Sequence, residues 1–141
     1  MRKRSKVATL VFALFILSTT AVYAELSPQV YQSLQQEAQE YYLIETVKVS
    51  SPFRLFRREK PVTVTATILE VYRSSREVSA GDTIEIRYMN YRPPRHWVGP
   101  RPIPVLDKGG QYHAFLSWSD AAGYYVPAAR GASFDSPVVV R

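Results

Sequence analysis

From Val62 to Ile68 the chain alternates: Val62, Val64, Ala66 and Ile68 fall on one side, Thr63, Thr65 and Thr67 on the other. Period two with β-branched residues predicts a strand, opened by Pro61. After Ile68 the phase reverses, because Leu69 and Val71 become the apolar positions and Glu70 and Tyr72 stand opposite. A reversal inside one long strand predicts a bulge, where an extra residue re-aims the side chains, as at a barrel corner. Ile84, Ile86 and Tyr88 alternate with Thr83, Glu85 and Arg87 in a second clear strand, introduced by the Gly81-Asp82 turn signal. Tyr112, Ala114, Leu116 and Trp118 alternate with His113, Phe115 and Ser117 in a third, with large residues on both faces. An earlier strand is expected around Glu45–Val49, with Ile44, Thr46 and Lys48 opposite Val47 and Val49. A short one is expected within 122–126, and a closing run at Val138–Val140.

Between the strands lie turns and two longer connections. Residues 90–104 (NYRPPRHWVGPRPIP) hold five of the ten prolines and cannot form a central strand. Asp107-Lys108-Gly109-Gly110 is a turn. Ser51–Lys60 (SPFRLFRREK) is a basic connection, expected to be a solvated loop with Phe53, Leu55 or Phe56 tucked back into the core. Five or six short strands joined this way predict a mainly β fold built as a small closed or partly open barrel.

The region before the strands has a different period. Ser27-Pro28 has the form of an N-cap and first helical residue. Val30, Leu34, Ala38 and Tyr41 recur at helical spacing with Tyr31 beside them, so a helix is expected over 28–40. Residues 1–24 join basic Arg2, Lys3, Arg4 and Lys6 to an apolar run, Val7–Leu17, and a small-residue end at Ala24. That is the form of a secretory signal peptide cut after Ala24. An uncleaved anchor is the alternative, but Ser18-Thr19-Thr20 leaves the apolar stretch short for a span. The expected organisation is a signal at 1–24, a helical segment at 25–42 and a barrel at 43–141. The protein is then exported, to the periplasm or beyond, and meets a membrane only through the signal before cleavage.

Export changes the charge argument. The full chain has 18 basic and 12 acidic residues, net +6. Without the four basic residues of the signal, 117 residues carry 14 against 12, net +2. A nucleic-acid function built on global charge therefore loses much of its support. With no Cys, disulfides, thiolate zinc sites and thiol nucleophiles are excluded.

Catalytic motifs are absent from the sequence. His96 and His113 have neither H-x-x-x-H nor H-E-x-x-H spacing. His113 in its aromatic strand is expected to be a packed or surface histidine. No G-x-S-x-G occurs, and Glu70, Asp82 and Glu85 show no spacing that defines an acid/base pair. An enzyme is not expected, and no cofactor or metal is implied. The better candidate is the proline-spaced set Arg92, Arg95, His96, Trp97 and Arg101, seconded by Arg54, Arg57 and Arg58. Proline restricts the loop before binding, Arg and Trp are enriched in binding hot spots, and Arg grips carboxylates and phosphates in bidentate fashion. The plainer alternative is a barrel-crossing loop whose Trp97 plugs the barrel end while its arginines are solvated.

Three stretches carry a family resemblance: Val62–Arg73 (VTVTATILEVYR), Ala80–Tyr88 (AGDTIEIRY) with Gly99-Pro100, and Gly109–Leu116 (GGQYHAFL). Over about residues 43–118 the chain resembles the netrin-like module, the OB-type barrel of the tissue inhibitors of metalloproteinases, in a bacterial exported form. The resemblance implies an OB-like five- to six-stranded barrel with an N-terminal helix. The inhibitors bind the protease zinc through an N-terminal Cys, whereas this chain would begin Glu25-Leu26-Ser27-Pro28 after cleavage, so no inhibitory site carries over. The expected function is an exported binding module for a protein or an anionic envelope polymer. The alternatives are single-stranded nucleic-acid binding, protease inhibition or an enzyme of unrecognised type.

Overall fold

The computed structural model describes residues 25–137; the expected signal and the expected strand at Val138–Val140 lie outside the described residues. The first element is helix α1 (Pro28–Glu37), and Ser27 caps it, its Oγ accepting from the Val30 N–H at 3.4 Å. Strands β1 (Glu40–Ser50), β2 (Glu59–Arg73), β3 (Thr83–Tyr91), β4 (Gln111–Ser119) and β5 (Tyr124–Pro127) follow, then a 3-10 turn (Arg130–Ala132) and a two-residue β6 (Phe134–Asp135).

The sheet closes on itself. β1 pairs antiparallel with both β2 and β4, β2 with β3, β5 with β4, and β3 runs parallel to β5 at Ile86–Tyr125. The order β1-β2-β3-β5-β4-β1 is a five-stranded mixed barrel, with β6 added on β4. The expected mainly β, OB-like barrel with an N-terminal helix is what the chain forms.

Bulges make the closure possible. Ile44 pairs with Ile68 and Leu43 with Glu70, so Leu69 is the extra residue, at the position where the phase reverses. A second extra residue, Val47, lies between Thr46 and Lys48 and is thrown out to 48% exposure, which lets Val49 turn back to the core. The barrel is filled by alternate side chains: Tyr42 and Ile44, Val62 through Ile68, Ile84 and Ile86, Ala114 and Leu116, with Tyr125 and Phe134 closing it. Every buried member of this core lies between Tyr42 and Phe134.

Three expectations need correction. The helix stops at Glu37 rather than residue 40, and β1 begins at Glu40, so Glu40–Tyr42 belong to the barrel. The reason is the burial of Glu40 and Tyr42 in the β1 alternation, which outweighs helical propensity. Of the expected helical stripe, Tyr31 is buried on the helix and Ala38 at its C-cap, while Val30 stays 41% exposed. Third, the apolar residues of the β1–β2 loop do not tuck in. Phe53, Leu55 and Phe56 are 84%, 62% and 97% exposed.

Glu40 is buried yet charged. Its carboxylate accepts from the Tyr42 hydroxyl at 2.5 Å, the Ser74 hydroxyl at 2.6 Å, the Ser75 N–H at 3.2 Å and the Ser75 hydroxyl. Burial alone would raise its pKa, but hydrogen bonds from Ser74, Ser75 and Tyr42 outweigh it and hold the group below its ordinary value. Burial, then the bond to Glu40, pushes Tyr42 upward in turn.

Candidate functional site

The register of β2 on β3 decides where the two basic segments meet. Glu59 pairs with Tyr91, and one residue further out the Arg92 N–H donates to the Arg58 carbonyl at 2.8 Å. The β1–β2 loop and the long β3–β4 loop therefore leave the barrel from the same rung. Two shallow depressions flank this rung and share Met89 and Tyr91. One, about 460 Å³, is lined by Arg54, Phe56, Arg57 and Arg58, with Glu59 as its one carboxylate. The other, about 500 Å³, has Trp97, Pro100, Pro102 and Ile103 in its wall, with Arg101 and Arg130 contributing cations. Arg54, Arg57, Arg58, Trp97 and Arg101 thus share one face. Arg92, Arg95 and His96 stand on the exposed turn before Trp97 and line neither depression.

Trp97 does not plug the barrel. Its indole meets the Tyr91 ring edge-on at 5.4 Å and lies across Gly99, where a Cβ would come within 2.6 Å of the ring. The indole N–H donates to the Pro100 carbonyl at 3.1 Å. The interior is filled instead by Leu106, with Ile103 packed against the core. The Tyr88 hydroxyl donates to the Pro104 carbonyl at 2.6 Å and the Asn90 amide to the Ile103 carbonyl at 2.8 Å, so two inward side chains of β3 tie down the loop. Burial raises the Tyr88 pKa, and the hydroxyl stays a donor throughout the physiological range.

The Arg101 segment is held from a third side. Its N–H donates to the Tyr31 hydroxyl at 2.9 Å, which itself donates to Glu25 Oε1 at 2.7 Å. The Arg101 guanidinium carbon sits 4.9 Å from the Tyr31 ring centre. Burial and the bond to Glu25 raise the Tyr31 pKa. Across the groove, Gly131 lies against the Arg101 backbone, and a Cβ there would stand 2.7 Å from the Arg101 Cβ and overlap its carbonyl oxygen. Gly131→Ala is therefore expected to push the 100–102 segment away, at a cost of about 1–3 kcal/mol. Denaturant unfolding and the amide shift of Arg101 check this; an unmoved Arg101 amide would mean that the turn, not the loop, gives way.

Tyr91 opens the loop that the sequence singles out, whereas Tyr31, Met89, Gly131 and Arg130 are not legible as site residues. Helical spacing identified Tyr31 only as a packing residue, and Arg130 comes from a 3-10 turn far along the chain. The other candidate groups are occupied locally. Glu70 accepts from Tyr72, Asp82 from the Ser79 N–H, and Glu85 pairs with Arg87 at 2.6 Å. His113 sits part-buried with its Nδ1 3.1 Å from the Tyr41 hydroxyl, within a cluster of Tyr41, Tyr72 and Phe115 rings.

The Arg87–Glu85 contact is the one ion pair among the described residues, so no arginine of the two depressions has a carboxylate partner there. An apolar floor between unpaired guanidinium groups is suited to a ligand that brings both apolar surface and negative charge. No family model, curated protein or solved structure matches this chain.

Proposed function

We propose that the protein is an exported binding module that captures an acidic, apolar-bearing peptide segment of a partner protein. The segment lies over Met89, Tyr91 and Trp97, between Arg57 and Arg58 on one side and Arg101 and Arg130 on the other. The observation that carries this reading is the junction of two basic loops, distant in sequence, over one apolar floor. The floor supplies burial and the flanking guanidinium groups supply bidentate pairing with carboxylates. A rigid, proline-spaced wall lowers the ordering cost of binding. Export is supported by the basic, apolar and small-residue pattern of residues 1–24. The domain acts without chemistry of its own, as a holder.

The test is selection from a library of short displayed peptides on the chain from Glu25 onward. The expected outcome is enrichment of peptides that combine Asp or Glu with aromatic or aliphatic residues. Enrichment of basic peptides, or none above an unrelated barrel, would overturn the reading.

A further inference from the structure

The β1–β2 loop extends past the groove at its apex, since Phe53 and Leu55 line neither depression. Phe53, Leu55 and Phe56 are the most exposed apolar side chains of its apex, and Arg54, Arg57 and Arg58 alternate with or follow them. Phe56 has a φ of 63°, a left-handed conformation costly for a bulky side chain. The Phe56 ring is 97% exposed and belongs to neither hydrophobic cluster of the barrel. Nothing in the remainder of the described chain covers these rings. The loop is a convex, apolar-tipped projection with a collar of unpaired cations.

We infer that this loop docks the domain on an anionic lipid bilayer, with Phe53, Leu55 and Phe56 entering the headgroup–acyl boundary and Arg54, Arg57 and Arg58 resting on the phosphates. The chemistry is that of interfacial anchors generally: apolar side chains partition into the boundary while basic ones remain at headgroup level and are drawn by the negative surface potential. The cations suit an anionic bilayer and an acidic peptide alike, and the exposed apolar tip is what favours the bilayer. A convex tip with two phenyl rings would need a deep pocket in a protein, but a bilayer accommodates it anywhere on its surface. The inference shares Phe56, Arg54, Arg57 and Arg58 with the first depression, whereas Phe53 and Leu55 line neither, so the two readings part at the loop apex. It also revises the expectation that the membrane is met only through the signal segment.

The experiment is co-sedimentation of the chain from Glu25 onward with vesicles of phosphatidylcholine, with and without phosphatidylglycerol. The core closes between Tyr42 and Phe134, so this species keeps the whole barrel. Binding is expected on the anionic vesicles only, and it should fall away by about 0.5 M salt as screening shortens the reach of the arginines. Replacing Phe53, Leu55 and Phe56 together by Ser should weaken binding at least about tenfold, with an unchanged circular dichroism spectrum because all three are exposed. Arg54, Arg57 and Arg58 replaced together by Gln should lose at least as much, together with the salt dependence. Phe56→Trp should add emission that shifts to the blue on the anionic vesicles, while Trp97→Ala should bind them as the wild type does. Protein left in the supernatant with both vesicle types, equal binding to both, a Ser variant that binds as well as the wild type, or an unshifted Phe56→Trp emission each overturns the inference. Failure of the peptide selection with vesicle binding intact would reject the groove alone.

Discussion

Trp97→Ala is expected to weaken binding of a selected acidic peptide about 30-fold or more, the loss of about 2 kcal/mol found for a hot-spot aromatic. The indole walls the groove, braces Tyr91 from the side and covers Gly99, so its removal takes away apolar contact and lets the loop before Pro100 spread. The fold should persist, because Trp97 belongs to neither hydrophobic cluster of the barrel. Fluorescence anisotropy of a labelled peptide, read beside a urea unfolding curve, checks both halves. Replacing Arg101 and Arg130 by Gln should instead cost affinity mainly at low ionic strength and flatten the salt dependence, since these groups contribute charge rather than surface. If Trp97→Ala binds as tightly as the wild type, the groove is not the docking site.

The largest effect on stability is expected at Glu40. Glu40→Ala leaves the Tyr42, Ser74 and Ser75 donors facing an empty acceptor position inside the fold. The stranded Tyr42 hydroxyl and the lost charge-assisted bonds put the cost at about 2–4 kcal/mol, since Ser75 is exposed and Ser74 half-buried and both can turn to water. The network also joins the head of β1 to the turn after β2, so the loss should appear as premature opening at that seam. Its pH dependence has a definite sign. The folded pKa lies below the ordinary 4.5, so the contribution is fully present above that value and is lost as pH falls through the folded pKa. Wild type should therefore lose stability in the acid range, and Glu40→Gln should lack that part of the slope while being less stable at neutral pH, because its amide NH₂ cannot accept. Urea unfolding of both forms from neutral pH to below pH 4.5 measures this. Parallel slopes would mean that other carboxylates carry the acid response.

Much of this architecture is readable in the order of residues. Alternation in Val62–Ile68 and Ile84–Tyr88 gives two strands with the buried face correctly assigned. The reversal after Ile68 locates the Leu69 bulge, because side-chain period is a local property of an extended backbone. Ser27-Pro28 locates the helix start for the same kind of reason: an N-cap satisfies its own helix within three residues. Boundaries set by long-range burial are not readable in this way. Glu40 has the composition of a helix end, and only serines more than thirty residues away make it the buried head of β1. Phe53, Leu55 and Phe56 look like core residues by composition, yet none of them joins the cluster that fills the barrel.

The candidate site divides along the same line. Arginine, tryptophan and proline in Tyr91–Pro104 single out a candidate loop by residue chemistry alone, and alternation along the chain gives the strand pattern. The sequence by itself did not determine that Arg54–Arg58 would stand beside Trp97. The pairing of Glu59 with Tyr91 sets that, and a barrel register is fixed by closure of all five strands at once. Folding alone brings Arg130 into the groove wall and sets Tyr31 against the Arg101 backbone, while Arg92, Arg95 and His96 line neither depression, because contacts across such separations exist only once the barrel has closed.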